Sequence, residues 1–518
     1  MERMKKTIEE LRERKELLRQ GGDPKVVEKI RSKGMLTARE RLDKLLDHGS
    51  FTETDMFVTH HCFSFDMQKK EIPCDGQITG YGEVDKRAVF VYSQDFSAMR
   101  GTIGEWGAKK ICKIMDLAAN KGVPFIGINQ SLGARLEEMG QGNLGSGVGF
   151  FEIFYRNSIY SGVIPQISLM MGDNAGGQVY GPGLTDFVIA TKQSNMFIAG
   201  PVLVKSVISE DVTSEYLGGA EMHASVSGAV HVLAEDDEDC IRKAKELLSF
   251  LPSSYRESPP IVDTGDDPQR LCPELEGIYT QTLPFDMHKV IISIVDNGHF
   301  FEIHKDYAKN IIVGFSRFDG RSVGIIAANS LVNAGAITVN AAEKAARFVR
   351  FCDAFNIPVL YLCDNPAYMV GSVQERAGMI YRGATLIYAT SEATVPKISI
   401  AVRRNFAGAW GSMGSWMVGT DICYAWSSAD MSGLSPKSIA DVIYRAEIES
   451  ATDPEEKRKQ KIEHCRQELG DIYNVASWQN VNDIIEPQET RIAVINALKM
   501  TEGKKQTLPA KKHGCMPL

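Results

Sequence analysis

Two short runs of small residues are the places in this sequence where chemistry could be carried out. Gly176-Gly177 and Gly408-Ala409 each follow an apolar run and precede a segment that can begin a helix. Small residues let a substrate approach the backbone, and N–H groups at a helix start attract negative charge. Each run could therefore form an oxyanion hole, which stabilises a carbonyl oxygen that gains charge, as in a thioester enolate. Two runs predict two holes and a reaction that involves two carbonyl groups.

Other catalytic devices find little support in the sequence. It contains no Gly-x-Ser-x-Gly motif and no Walker P-loop, and none of its ten histidines lies in a nucleophile or metal motif. His60 and His61 are adjacent, so in a strand they would point to opposite faces. The run Gly140 to Gly145 has the spacing Gly-x-Gly-x-x-Gly, but it follows a charged stretch rather than a strand, and we interpret it as a loop. We predict no metal site.

Composition indicates an ordinary globular protein. A net charge of −8 and a pI near 5.8 argue against nucleic acid or an anionic membrane as a partner. None of the ten cysteines forms a Cys-x-x-Cys pair, so we expect reduced thiols in a cytoplasmic protein. The N-terminus is charged and lacks the apolar region of a signal peptide, and no apolar run is long enough to span a bilayer.

An internal repeat organises the chain. Asp85 and Asp319 lie in matching contexts at an offset of about 234 residues. Strand-like runs at 123–128 and 357–362 also correspond, and the two small-residue turns align as Ala175-Gly176-Gly177 with Ala407-Gly408-Ala409. We therefore predict two homologous α/β domains, residues 1–260 with a helical arm at 1–35, and residues 268–518. Because strands alternate with helices, most strands should be parallel.

Several long motifs resemble one known family. The chain is similar throughout to the carboxyltransferase subunit of biotin-dependent acyl-CoA carboxylases and decarboxylases, of the propionyl-CoA carboxylase β-subunit type. The segments that carry the resemblance are 33–42, 111–116, 162–168 and 347–358. The resemblance implies two tandem crotonase-like domains, with coenzyme A held by the N-terminal half and biotin by the C-terminal half. The active site would lie between halves of two subunits in a ring-like homohexamer.

The resemblance also implies roles for particular residues. The thioester carbonyl would be held by Gly176 and Gly177, the biotin ureido oxygen by Gly408 and Ala409, and the coenzyme would lie near Gly133, Ala134 and Arg135. No side-chain nucleophile would be needed. Biotin would be attached to a separate carrier protein, and the partner would be a biotin carboxylase or a membrane decarboxylase subunit. Lys499 resembles a biotin-attachment lysine, but the spacing around it is helical, so we do not expect biotin there.

This sequence departs from the family pattern around the holes. Leu132 replaces a glycine, Gln178 follows the first hole, and Trp410-Gly411 replaces the usual Tyr-Asp. Arg100 stands where glycine is usual, and 364–368 reads Asp-Asn-Pro-Ala-Tyr. We expect Gln178, Trp410 and Gly411 to contact the substrate, and the rebuilt surroundings to serve an unusual acyl group or to mean that biotin use has been lost.

Three functions remain open from the sequence. The leading hypothesis is carboxyl transfer between biotin and an acyl-CoA, in either direction. A biotin-independent crotonase-type decarboxylase or hydrolase acting on an acyl-CoA is the second. A non-catalytic ring subunit is the third, which the intact Gly176-Gly177 run disfavours.

Overall fold

The chain forms two compact units, 1–257 and 258–518. The structure is a computed structural model that describes residues 2–139, 149–279, 283–469 and 471–517. The Gly140 to Gly145 run lies outside these residues. The sequence analysis put the end of the first domain at residue 260 and the start of the second at 268.

The first unit is built on an eight-stranded sheet. Its strands are β1 Thr52–Thr54, β2 Gln77–Val84, β3 Arg87–Gln94, β4 Phe125–Ser131, β5 Gln166–Ala175, β6 Phe187–Thr191, β7 Asn195–Phe197 and β8 Val232–Ala234. Its helices are α1 Glu2–Arg19, α2 Pro24–Ser32, α3 Ala38–Leu45, α4 Glu105–Lys121, α5 Leu136–Met139, α6 Phe150–Ile159, α7 Tyr180–Leu184, α8 Pro201–Ile208, α9 Ser214–Gly218, α10 Ala220–Met222 and α11 Asp237–Phe250. The order is β1-β2-β3-β4-β5-β6-β8, and β7 pairs with β5.

The second unit repeats this architecture. Its strands are β9 Phe301–Ile303, β10 Ile311–Phe318, β11 Arg321–Ala328, β12 Val359–Asn365, β13 Lys397–Phe406, β14 Ile422–Trp426, β15 Asp430–Ser432 and β16 Asp483–Ile485. Its helices are α12 Glu276–Tyr279, α13 Met287–Ile294, α14 Val339–Ala354, α15 Ser372–Arg376, α16 Met379–Glu392, α17 Ala407–Ser412, α18 Pro436–Ile443, α19 Arg445–Glu449, α20 Pro454–Leu469, α21 Ile472–Ser477 and α22 Thr490–Thr501. The order is β9-β10-β11-β12-β13-β14-β16, with β15 on β13. The predicted α/β class and duplication are confirmed.

Each sheet has an antiparallel end and a parallel centre. β1, β2 and β3 pair antiparallel, whereas β3 to β6 and β8 are parallel. Every residue of the central strands β4 and β12 is buried, as expected for parallel strands covered on both faces. The carboxyl ends of β4 and β5, and of β12 and β13, carry the loops in which the predicted site residues lie.

The difference in residue number between corresponding positions of the two units changes along the chain. The isolated bridges Ile103–Ala134 and Ile337–Tyr368 correspond at an offset of 234. The last pairs of β5 with β7 and of β13 with β15 are Ala175–Phe197 and Phe406–Ser432, so the ends of β5 and β13 correspond at an offset of 231. Gly177 therefore corresponds to Gly408 and Gln178 to Ala409. The sequence alignment of the two turns was wrong by one residue, because the chain between β4 and β5 is longer than its counterpart.

Each unit also buries a lysine at the same position of its first long crossover helix. Lys110 of α4 donates to the carbonyl oxygens of Cys74 and Gln77, at 2.8 and 2.5 Å. Lys344 of α14 donates to those of His304, Tyr307 and Ile311, at 2.7 to 2.9 Å. Burial lowers the pKa of Lys344 to about 7, since the low-polarity surroundings disfavour the charged amine. Both lysines fix the chain that leads into the antiparallel end of the sheet.

We expect Lys110→Met to destabilise the protein, because two buried carbonyl oxygens lose a charged donor and only Cys74 O keeps another, the Gln77 N–H. A buried group left without a partner costs about 1–3 kcal/mol, so we expect the free energy of unfolding to fall by about that amount. Lys109→Met is the matched control, since the Lys109 amine is half-exposed, pairs with Glu105 at 2.6 Å and lies 4.4 Å from the centre of the Trp106 ring. That exposed pair contributes less than about 1 kcal/mol. Urea denaturation followed by circular dichroism measures both, and equal losses would contradict this role of Lys110.

Candidate active site

The first turn presents two unpaired N–H groups at a helix start. Strand β5 ends at Ala175, and Gly176 then adopts a left-handed φ of +79°. The Gly176 N–H donates to the Phe197 carbonyl oxygen at 3.0 Å. A short 3₁₀ turn, Gly177–Val179, begins next, and the N–H groups of Gly177 and Gln178 have no acceptor among the described residues. The hydrogen bond to Phe197 therefore removes Gly176 from the predicted pair of donors and leaves Gly177.

A third unpaired N–H lies on the loop that follows β4. The Ile103 N–H donates to Gly133 O at 2.9 Å, and the Arg135 N–H donates to Ile103 O at 3.0 Å. This bridge directs the N–H of Ala134 away from Ile103, and within the described ranges it has no acceptor. The loop touches the first turn, because a Cβ placed on Gly133 would lie 2.6 Å from Ala175 O. Gly133 also has a φ of +94°, so only glycine suits this position.

The second turn repeats the arrangement at its predicted residues. Ala407, which corresponds to Gly176, has a φ of +52°. The N–H groups of Gly408 and Ala409 follow at the start of α17, and no described residue accepts a hydrogen bond from either. Tyr368 corresponds to Ala134, since Ile337 bonds Ala367 O and Met369 bonds Ile337 O, at 3.0 and 2.8 Å. Gly408 is exposed, and a Cβ on it would lie 3.9 Å from the Tyr368 ring.

The side chains of Arg135 and Gln178 are buried and bonded to other protein groups. This differs from the prediction that they contact a ligand. Arg135 is fully buried, with ion pairs to Asp75 and to Glu138, the latter at 2.7 Å. Although burial opposes it, these carboxylates raise the pKa of Arg135. Gln178 donates to Ser131 O at 3.1 Å and accepts from Gln94 at 3.1 Å. Both side chains hold the loops in place, and only their backbone is available.

Beside the second turn lies a cavity of about 550 Å³ lined mainly by apolar side chains. Trp410 forms one wall and packs on the cluster around Ala401, Ala425 and Met431. Gly411 comes next, and apart from its own helical turn no described residue has an atom within 4 Å of a Cβ built on it. The cavity is lined by Trp410, Met431, Ser432, Gly433, Leu434, Ile439, Asn474, Val475, Trp478 and Asn480.

An ionic cluster that the sequence reasoning missed supports the second turn. Asp364, fully buried near the end of β12, accepts hydrogen bonds from the side chains of Arg403 and Arg404, at 2.6 to 3.2 Å. Burial alone would raise the pKa of this carboxyl, but the Arg403 hydrogen bonds and the charge of Arg404 hold it below its ordinary value. Two consecutive arginines in an otherwise buried strand were the available signal.

The described part of the chain offers no other obvious reactive centre. It contains no group of three or more His, Cys, Asp or Glu residues that could hold a metal ion. No helix in the described ranges is long and apolar enough to cross a membrane. Nine of the ten cysteines are buried thiols, and burial raises the pKa of Cys112 to about 12. Lys499 lies within α22 and pairs with Asp319 at 2.9 Å.

Comparison with known proteins gives consistent matches over nearly the whole chain. The family model for the carboxyl transferase domain matches residues 29–516. A propionyl-CoA carboxylase carboxyltransferase subunit from Haloferax mediterranei is 46% identical, over 99% of this chain and 100% of that protein. Methylmalonyl-CoA decarboxylase subunit alpha from Propionigenium modestum is 44% identical, over 99% of each chain.

A solved structure has the same fold and a similar sequence. The transcarboxylase 12S crystal structure, a hexamer assembly with hydrolysed methylmalonyl-coenzyme A bound, superposes with a TM-score of 0.94 at 42% identity. The match covers 99% of this chain and 98% of the 12S chain. The family model and these relatives extend over both units. This chain therefore belongs to the carboxyl transferase family.

Proposed function

We propose that this chain is the carboxyltransferase subunit that moves a carboxyl group between biotin and an acyl-CoA. The observation that carries the proposal is the duplicated set of N–H groups that have no acceptor among the described residues. Gly177, Gln178 and Ala134 supply the set in the first unit, and Gly408, Ala409 and Tyr368 supply it in the second. The first set would receive the thioester oxygen and the second the ureido oxygen. The first unit would accordingly bind coenzyme A and the second unit biotin.

The residues at the second turn suit biotin. A ureido ring is uncharged and needs donors to its oxygen together with apolar walls. Gly408 is exposed and has no side chain to block the approach, while the Tyr368 ring and the cavity at Trp410 provide apolar surface. When bound, biotin supplies or accepts the carboxyl group at a ureido nitrogen.

The chain contributes positioning and electrostatics to this reaction. At the first turn, N–H donors fixed by β5 and by the Gly133 loop would stabilise the negative charge that develops on the thioester oxygen as the α-carbon loses a proton or a carboxyl group. The buried Arg135 and Gln178 networks keep these donors in place before substrate binds. Since no atom of the protein forms a covalent bond, no activated side-chain nucleophile is required.

The assembly that we propose follows the relatives. We infer a homohexamer, by analogy with transcarboxylase 12S, in which each active site combines the first unit of one subunit with the second unit of another. Biotin would come from a separate carrier protein, and a biotin carboxylase or a membrane decarboxylase subunit would complete the enzyme. A cytoplasmic location agrees with the buried reduced thiols.

Carboxyl transfer to free biotin tests the function without partner proteins. The purified chain is incubated with malonyl-CoA or methylmalonyl-CoA, with and without biotin, and the decarboxylated acyl-CoA is measured by chromatography. We expect product that depends on biotin. Product formed equally without biotin would favour a crotonase-type decarboxylase. Binding without turnover, for every thioester and in the presence of the carrier protein, would indicate a non-catalytic ring subunit.

The open space at Gly411 leads to a prediction about acyl size. An aspartate at this position fits without a clash and introduces a charge and volume beside the second turn. We expect Gly411→Asp to lower kcat/KM for a long acyl-CoA about tenfold or more relative to a short one, since a desolvated charge disfavours an apolar chain. A carboxyl-bearing acyl group should be penalised most, through like-charge repulsion.

The measurement is the ratio of kcat/KM values for a short, a long and a carboxylated acyl-CoA. Gly277→Asp is the control, because it adds the same side chain at an open position of α12. If Gly411→Asp leaves the ratio unchanged, or if Gly277→Asp shifts it equally, Gly411 does not set specificity.

A further inference from the structure

The Asp95–Gly101 loop, which follows β3, is held rigidly beside the first turn. On one side, the N-terminal arm bonds to Ser97: the Gly22 N–H donates to its hydroxyl and the Asp23 N–H to its carbonyl, each at 2.9 Å. On the other side, the Leu132 N–H donates to Arg100 O at 3.2 Å. Leu132 precedes Ala134, one of the unpaired donors, by two residues, which is at most about 7 Å of backbone. The loop thus fixes Arg100 close to the thioester hole.

Arg100 adopts a backbone conformation that a long L side chain disfavours. Met99, Arg100 and Gly101 are all left-handed, with φ values of +47°, +57° and +64°. The second unit makes the same turn at 333–335, where Ala334 occupies the position of Arg100 with a φ of +54°. A methyl group is therefore sufficient to form this turn. The arginine is present only in the unit that carries the first hole, and strained residues that persist in this way are concentrated at functional sites.

Arg100 is an exposed residue. Its guanidinium makes no hydrogen bond and no ion pair with any residue that the structure describes. This differs from the other arginines near the two holes, since Arg135, Arg403 and Arg404 all pair with carboxylates. A guanidinium without a protein partner can bind an anionic group of a ligand in a bidentate arrangement.

We propose that Arg100 is a specificity-determining residue that binds a carboxylate on the acyl group of the substrate. This rests on the proposed thioester hole at Gly177. The position beside the hole favours the acyl end over the phosphates of coenzyme A, because the whole pantetheine arm separates those phosphates from the thioester.

Isothermal titration of two thioesters tests this assignment. Succinyl-CoA and butyryl-CoA have the same acyl length and differ in a terminal carboxylate. We expect the wild-type protein to bind succinyl-CoA about 10- to 100-fold more tightly, as for a charge-assisted hydrogen bond. Arg100→Gln should abolish that preference and leave the Kd of butyryl-CoA and of free CoA within about twofold. Arg100→Lys should retain part of the preference, because it keeps the charge but not the planar fork.

Two controls separate the possible outcomes. Arg12→Gln removes an exposed arginine from α1 and should change neither Kd. Arg100→Ala, which reproduces the residue of the second unit, shows whether the turn folds without the arginine. An unchanged preference in Arg100→Gln would overturn the proposal, as would an equal loss of affinity for all three ligands, which would assign Arg100 to the coenzyme. Because these are binding measurements, they can fail while biotin-dependent turnover is retained, and the reverse also holds.

Discussion

Gly177→Pro should lower kcat/KM for biotin-dependent carboxyl transfer about 10²- to 10³-fold. Gly177 is the first residue of its short helical turn, where proline is well tolerated, so the substitution removes the N–H donor with little change to the backbone. Loss of one donor from an oxyanion hole costs roughly 3–4 kcal/mol in the barrier. The thioester should still bind, because most of its contacts are remote from the carbonyl, and the loss should fall mainly on kcat.

Gly177→Ala is the matched control for this variant. It adds a methyl group and keeps the N–H, and the nearest atom to the new Cβ is a ring carbon of Phe150 at 3.7 Å. We expect at most a few-fold loss of activity. If the proline variant keeps near-normal turnover while its thermal midpoint and oligomeric state are unchanged, Gly177 does not stabilise the reacting oxygen.

Gly408→Pro should produce a loss of similar size with a different signature. It removes a donor from the second hole, so carboxyl transfer should fall about 10²- to 10³-fold. The Kd of acyl-CoA should stay within about twofold of the wild-type value, because the thioester hole belongs to the other unit. Gly408→Ala keeps the N–H, and its Cβ would make only an ordinary contact with the Tyr368 ring at 3.9 Å.

Two measurements on this variant test whether the first hole serves acyl-CoA and the second serves biotin: titration with acyl-CoA, and carboxyl transfer to free biotin. A Gly408→Pro protein that loses affinity for acyl-CoA as strongly as it loses turnover would contradict the assignment of the second hole to biotin. A variant that retains transfer would remove Gly408 from the reaction.

The fold could be predicted from the sequence because the chain is duplicated, so the pattern of each half could be checked against that of the other. The buried strand at 123–128 has its counterpart at 357–362, and both are central strands in the structure. The register of the turns could not be read in the same way. Between β4 and β5 the offset changes from 234 to 231, and small residues on both sides of each turn permit either alignment. The strand pairs Ala175–Phe197 and Phe406–Ser432 resolve it.

The roles of individual site residues depended on partners that a sequence does not contain. Gly176 has the right residue type for a donor, but its N–H is already bonded to Phe197, a residue about twenty positions away. Arg135 has the right charge to bind a phosphate, but its guanidinium is buried in an ion pair with Asp75. Ala134 and Tyr368 carry no chemical signal at all, since their backbone N–H groups matter only because of the bridges beside them.

The most direct test of two holes for two carbonyl groups is a crystal structure of the protein with an acyl-CoA and biotin bound together. We predict that the thioester oxygen lies about 2.7–3.1 Å from the Gly177 nitrogen, and the ureido oxygen at the same distance from the Gly408 nitrogen. Electron density that places the thioester oxygen away from the Gly177 turn, or biotin away from the Gly408 turn, would contradict this account.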